Sequence, residues 1–571
     1  MSVLFNGSTL VTPAVETSID DSAMYPIANP YGNVLALIGE SAGGTPKKAT
    51  RVRSPQHAKQ LLRSGPLYEA AVRAFAPSPE AGSPASILVV RVDPAVQATL
   101  TLNDADEAPS IALSATDYGA HTSSIEVRLE AGSRLGYRLS VRQDSVVATR
   151  DNVGSENINL QYTGTEADAA IDIAAGVLTL KAPADTVAKT YNLNEWANVA
   201  ALAEAINGMS DWAASVPRGQ ERFEPENLDK QTFADAKTAA VTVTGHAYEV
   251  VKFLQSASEI WLDAALADAQ VAAPALLPWT TLSGGVNGNV VALDWENAFA
   301  ALHEVEAHWL VPLTDDAAVW DMCAAHCDYL SEQKRERRAF VGADTGVTAE
   351  QAAVHALAIN SDRVGYVWPA IYEQDSVTRQ PVLKPAYLAA VNLAASFASM
   401  NPGETMSRKA LSVYGAEVQL REPADTDVLI DSGVIALVQG TKGVIVSQAV
   451  STWQVDDRYN RREISTGAAT DYVARAVRAN LEPLLGTRAS PEAIPRAASR
   501  VESILSDLSV APPSGPGVLV GDGASPPYKN IVVELEGDVM RVSFECSPVI
   551  PINYVLVGIS ISPYAGSSTN L

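Results

Sequence analysis

The stretch "NVLALIGESAGGTP", residues 33–46, decides how this chain is read. An apolar run ends in Gly39-Glu40-Ser41-Ala42-Gly43, the G-x-S-x-G spelling that presents a nucleophilic serine between a strand and a helix in α/β-hydrolases. The competing reading is a core strand over residues 34–38 that ends in an ordinary glycine turn. Position favours the second. A hydrolase elbow follows several earlier strands and an oxyanion-hole loop, and the residues before Gly39 are too few to supply them. The triad histidine should come late in the fold, yet the last histidine is His355. The same glycines nearly spell a phosphate loop from Gly39 to Gly44, but Thr45-Pro46 stands where Lys-Ser/Thr is required.

Working outward, residues 1–30 contain Gly7, Pro13, Pro26 and Pro30 and no helical period, which predicts an extended N-terminal arm. After the glycine turn, a helical pattern over residues 54–75, interrupted at Gly65-Pro66, leads to a strand over 86–92. Strand, helices and strand make a parallel crossover. Residues 94–284 change texture to short alternating runs between turns, with a helix over 192–207, and read as inserted β-rich outer domains. The α/β texture then resumes with strands at 308–314, 338–343 and 364–370, a helix over 315–333, and an apolar helix over 386–400 that carries Asn392 and Ser396.

Towards the C-terminus, Thr470 reads as the N-cap of one helix and Ser490-Pro491 as the start of a second. Ile494, Ala498, Val501, Leu505 and Leu508 make one apolar stripe on that second helix. A hairpin over 530–546 follows, with Met540, Val542, Phe544 and Cys546 on one face, and then a β-branched strand over 552–561. The expected fold class is mixed α/β and multi-domain. Its parts are an arm (1–30), a first core part (31–93), the inserts (94–284), a second core part (285–450), a C-terminal α+β domain (451–550) and a terminal strand (551–571).

A chain of 571 residues supports two to four domains. With 66 acidic and 41 basic residues the net charge is −25, which argues against a general nucleic-acid binder or an anionic-membrane binder. Residues 451–510 depart from this, with eight arginines against eight acids. No secretory leader and no membrane-spanning apolar run is recognised. Cys323, Cys327 and Cys546 are too few for a disulfide framework and suit a reducing compartment. Cys323, His326 and Cys327 share one helical face, but three soft ligands lack a fourth, and buried core residues are the favoured reading. His303, Glu304 and His308 approach H-E-x-x-H, but histidines five apart do not share one helix face, and a partly exposed helix edge is the favoured reading. No catalytic residue, metal or cofactor is assigned.

Taken together, these segments resemble the contractile phage tail sheath family. The resemblance runs through "NVLALIGESAGGTPKKATRVRSPQHAKQLL" (33–62), "GPLYEAAVRAF" (65–75) and "ILVVRV" (87–92). It continues through "LSGGVNG" (282–288), "VPLTDDAAVW" (311–320), "NSDRV" (360–364) and "YLAAVNLAASFASMNPGET" (387–405). It ends with "DSGVIAL" (431–437), "RREISTGAATDYVARAVRANLE" (461–482), the hairpin and "PINYVLVGISI" (551–561). The family's usual G-V-Y-x-x-E start is replaced here by residues 10–21.

The resemblance implies a non-enzymatic subunit of a virion tail, assembled in the host cytoplasm as a homo-oligomer of stacked hexameric rings. Its partners would be an inner tail tube protein and baseplate and tail terminator proteins, with no nucleic acid and no direct membrane insertion. Strand-exchanging ends would place Leu10, Val11, Val15, Tyr554, Val555, Val557, Ile559 and Ile561 at subunit interfaces. The charge balance and the family layout together put Arg461, Arg462, Arg475 and Arg478 near the tube. The alternatives are a serine carboxylesterase built on GESAGG and a non-contractile tail or baseplate structural protein.

Overall fold

The computed structural model describes residues 3–5, 8–10, 33–257, 261–375 and 378–562. They fall into two compact units, one built mainly from 93–290 together with 42–46, the other from the remaining core segments.

The larger unit is organised by an eight-stranded sheet. Its strands, numbered in chain order, are β1 (Val34–Gly39), β2 (Ala49–Val52), β3 (Ser86–Arg91), β4 (Trp309–Pro312), β5 (Arg338–Gly342), β6 (Val364–Trp368), β7 (Val434–Gly440) and β8 (Gly443–Val446). Across the sheet they run β8-β7-β6-β5-β4-β1-β3-β2. The six inner strands are parallel, with Leu35 opposite Ile87 on one side and Trp309 on the other, whereas β2 and β8 are antiparallel edges. Strands covered on both faces need continuous apolar sequence rather than alternation. Leu35, Ala36, Leu37 and Ile38 of β1 are accordingly fully buried.

Helix α1 (Ala386–Ser399) is buried almost all round and packs on β4 and β5. Its Phe397 stacks on Trp309 and Phe340 with ring centroids 5.1 and 5.6 Å away. Asn392 is accommodated inside this apolar helix because Arg73 Nη1 donates to its oxygen at 2.9 Å and its amide donates to the Pro77 carbonyl at 2.5 Å. A buried amide so satisfied carries little penalty.

Two further helices, α2 (Ile464–Leu481) and α3 (Ala493–Ser509), pack together and carry the hairpin Tyr528–Glu536 and Val539–Cys546. Both begin elsewhere than the sequence predicts. Thr470 lies inside α2, where its hydroxyl donates to the Thr466 carbonyl at 3.0 Å, an arrangement open to threonine within a helix. In α3, Glu492 takes the cap position, while Ser490 receives the Ala493 N–H on its carbonyl at 2.9 Å and turns its hydroxyl to Glu492 Oε2 at 3.2 Å. The buried stripe of α3 is correspondingly Ala493, Ala497, Val501, Leu505 and Leu508.

The other unit has two hydrophobic cores. One is enclosed by Thr99–Asn103, Pro109–Ala115 and Leu262–Leu266, by the sheet of Glu126–Ala131, Tyr137–Gln143, Val146–Val153 and Leu277–Thr281, and by the helix His246–Ser256. The second gathers Ile158, Leu160, Ile171, Leu178 and Val243 from strands around the helix Val199–Asn207. That helix starts later than the sequence predicts because Asn198 caps it, its side chain accepting from Ala201 N at 2.9 Å.

Candidate functional site

The GESAGG turn follows β1, the strand at which the sheet order reverses, with β3 on one side and β4 on the other. The carboxyl end of such a strand is where α/β enzymes bind their ligands. Here that position is filled. A Cβ on Gly39 would stand 2.8 Å from Leu313 Cδ1, and Ser41 is only 4% exposed. Gly65, at φ +104°, brings its backbone against Ser41, where a Cβ would stand 3.1 Å from the serine Cα. Beyond the turn the chain does not enter a helix but returns as β2, antiparallel to β3. A nucleophile elbow requires strand to helix, so the geometry runs against the esterase alternative.

Residues 42–46 are gripped by a pair the sequence reading did not single out. Asp117 Oδ1 accepts from Gly44 N at 2.9 Å and from Tyr118 N at 2.8 Å, and its Oδ2 lies 2.9 Å from His121 Nε2. His121 Nδ1 bonds the Ala42 carbonyl at 2.9 Å. Burial raises the Asp117 carboxyl, but His121, Gly44 and Tyr118 outweigh it and hold the group below its ordinary range. The imidazole is thus committed to a carboxylate and a backbone carbonyl, and acts as a clasp on the turn.

The metal candidates are buried and otherwise engaged. Cys323 and Cys327 lie fully buried on the helix Ala317–Glu332, and contact with Cys327 together with burial pushes the Cys323 thiol well up. His326 Nε2 faces Arg337 Nη1 at 3.0 Å, and burial with that guanidinium pushes the imidazole down to about 3. A buried arginine against the proposed ligand does not fit a cation, and no group of three metal-ligating side chains is found among the described residues. His303 lies beyond the end of the helix Ala292–Ala300 and stacks on His326 at 5.4 Å, while His308 is buried just before β4. The two histidines therefore do not share the helix edge expected of them.

Three of the four arginines proposed near a tube make ion pairs within their own unit. Arg461 reaches Asp362 at 4.0 Å and covers the Trp453 ring at 4.5 Å. Arg462 pairs with Asp457 at 2.7 Å, and Arg478 with Glu336 at 2.6 Å. Arg475 lines a cavity of about 20 Å³ with His308, Glu336, Arg338 and Asp471, room for about one water. Its Nε has no hydrogen-bond partner among the described residues. Beside this cavity Asp471 accepts from Arg338 Nε at 2.8 Å and Arg363 Nη1 at 2.9 Å, fastening α2 to the strands β5 and β6. Gly467, one turn earlier on α2, leaves the space that the Arg338 guanidinium occupies.

The terminal segment contrasts with these enclosed groups. Residues 551–562 join no sheet among the described residues. Tyr554, Val555, Val557, Ile559 and Ile561 are 75–91% exposed, and Leu556 is 95% exposed. The segment is tied at its root, where Asn553 Nδ2 donates to Glu463 Oε2 at 3.4 Å. Nearby, the hairpin is a two-stranded sheet of its own, so the outer edge of each strand pairs with no other strand among the described residues. Of the N-terminal candidates, Leu10 lies in a short strand, Ser8–Leu10, paired with Val3–Phe5, and Val11 and Val15 lie outside the described residues.

The strand end is thus filled, the histidines and cysteines have close neighbours, and the apolar terminal segment joins no sheet among the described residues. Over 587 aligned residues the chain is 29% identical to the tail sheath protein of Bacillus phage SP01, covering 99% of this chain and 98% of that one. It is 26% identical to the tail sheath protein of Staphylococcus phage Twort, covering 85% and 87%. No family model matches. The fold is that of the sheath tail proteins of Desulfitobacterium hafniense (TM-score 0.56, 10% identity, 94% of this chain and 97% of that one) and Listeria innocua (0.55, 13%, 93% and 95%). The chain is thus similar over nearly its whole length to tail sheath proteins, and the likeness supports a structural tail sheath role.

Proposed function

We propose that copies of this chain polymerise as stacked hexameric rings around an inner tube, and that their contraction drives the tube through a target envelope. The observation that carries this reading is the exposed apolar segment 552–561 beside a hairpin with two open edges. Edge strands present unpaired N–H and C=O groups, and an extended apolar segment pairs with them by strand addition. In this reading the tail of one copy adds to the hairpin of a neighbour, and Tyr554, Val555, Val557, Ile559 and Ile561 become interface residues. Leu10, Val11 and Val15 of the N-terminal arm are proposed to serve a second edge in the same way.

The tube contact is assigned to Arg461, Arg462 and Arg478, which keep part of their side chains exposed while paired. Arg475 is withdrawn from that role because it lines the internal cavity. Baseplate and terminator proteins would cap the assembly, built in the host cytoplasm. Contraction would draw on rigid-body rotation between two packings rather than on nucleotide hydrolysis. Electron microscopy of the purified chain tests the reading. Long hollow tubes are expected, and discrete particles with ester-hydrolysing activity abolished by Ser41→Ala would overturn it.

A further inference from the structure

Beyond the carboxyl end of β6 lies a groove of about 620 Å³ that the sheath reading leaves without a role. Val347, Leu420 and Val428 line it, and Val428 is 67% exposed. Its polar lining is acidic. Glu417 Oε1 accepts from Gly346 N at 2.9 Å, but its Oε2 is enclosed and has no partner among the described residues. Glu350 makes no ion pair among them either, while Asp425 is already held by Arg421 at 3.0 Å. A buried carboxylate oxygen left without a donor carries an energetic penalty that an incoming cationic donor removes.

One feature of the same chain has the complementary chemistry. In the connection between α2 and α3, Thr487 N and its hydroxyl both bond the Leu484 carbonyl, at 3.2 and 2.7 Å, and Gly486 turns the backbone at φ +74°. This fixed turn holds Leu485 outward, 80% exposed, and carries Arg488, exposed and in no ion pair among the described residues. An apolar side chain and a cation presented by a hydrogen-bonded turn bind with little ordering cost.

We propose that the groove receives the Leu485–Arg488 turn of a second copy, with Leu485 against Val347, Leu420 and Val428 and Arg488 donating to Glu417. The inference rests on the sheath reading, because it supplies a contact between copies beyond strand exchange. The test places cysteines at Leu485 and Val428 of the full chain and treats the assembled protein with a short bismaleimide, with each single cysteine as control. A covalent ladder that needs both positions is expected. Arg488→Glu is expected to raise the concentration needed for assembly about tenfold, as for loss of an interface anchor. Normal tubes without a ladder, or cross-linking confined to single chains, overturn the inference and leave the sheath reading intact. If the unmodified chain forms no assembly, the sheath reading falls and this inference falls with it.

Discussion

Arg338 Nε donates to Asp471 Oδ2 at 2.8 Å, and the same oxygen receives Arg363 Nη1 at 2.9 Å. One carboxylate on α2 therefore accepts from two arginines, Arg338 at the start of β5 and Arg363 just before β6, and both Arg338 and Asp471 are buried. Removing it leaves both guanidinium groups without this partner, the Arg338 charge buried. Asp471→Ala is expected to cost ~3–5 kcal/mol, read as a lower denaturant midpoint with an unchanged slope. Burial raises this carboxyl, but Arg338, Arg363 and Arg475 outweigh it and hold the group below its ordinary value of 3.8. A depressed acid stabilises above its unfolded pKa and loses that contribution as pH falls. The wild-type chain should therefore lose stability below about pH 4, and Asp471→Ala should flatten that loss.

Glu463 titrates with the opposite sign. Burial raises its carboxyl, and hydrogen bonds from Gln448, Ser465, Asn553 and Thr405 recover only part of the shift, leaving the group above its ordinary 4.5. The folded state then binds more protons than the unfolded chain, so stability falls as pH rises through the window above 4.5. Glu463→Gln is expected to raise the melting temperature at pH 7 and to match wild type near pH 4. Thermal melts across that range measure it.

Gly39→Ala places a methyl group against Leu313, whose Cδ1 would lie 2.8 Å away inside a fully packed strand end. Overpacking of this kind costs ~1–3 kcal/mol. Urea denaturation should show that loss, and Leu313→Ala in the same chain should recover part of it.

Among the described residues, truncation after Pro551 removes exposed side chains, with Asn553 the one that is half-buried. The melting temperature of the remaining chain is expected to shift by no more than about 2 °C, because little packing is lost. Tube formation, scored by electron microscopy and sedimentation, is expected to disappear. Intact tubes from the truncated chain would remove strand donation by this segment.

Most of the sheet was legible because inner parallel strands announce themselves as unbroken apolar runs. "VLALI", "ILVVR", "WLVP" and "RAFVG" all became strands of one sheet, and the crossover between β1 and β3 follows from their order. β2 was missed because Ala49–Val52 is a half-buried edge with no such run. Thr470 and Ser490 misled for a different reason. Their chemistry suits a cap, but burial of Ile464 and Ser465 against the sheet extends α2 upstream, and tertiary packing overrides a local capping preference. The candidate site was less legible. Arg475 and Arg478 look alike in sequence, yet one lines a cavity and the other pairs with Glu336, a distinction made only by strands more than a hundred residues away. His121 was invisible as a partner of the glycine turn because neither its spacing nor its neighbours form a motif.

If the exposed tail pairs by strand addition as proposed, it bears on when assembly starts as well as on what holds it together. Every free copy would then carry a sticky end and an open hairpin edge, so any two copies that meet would be a potential seed for a filament with no tube inside. Productive assembly then depends on elongation from a template outpacing spontaneous seeding. The tethering of the tail root through Asn553 to Glu463 is a feature on which that competition can turn, because it limits how far the sticky end reaches before a neighbour is in place.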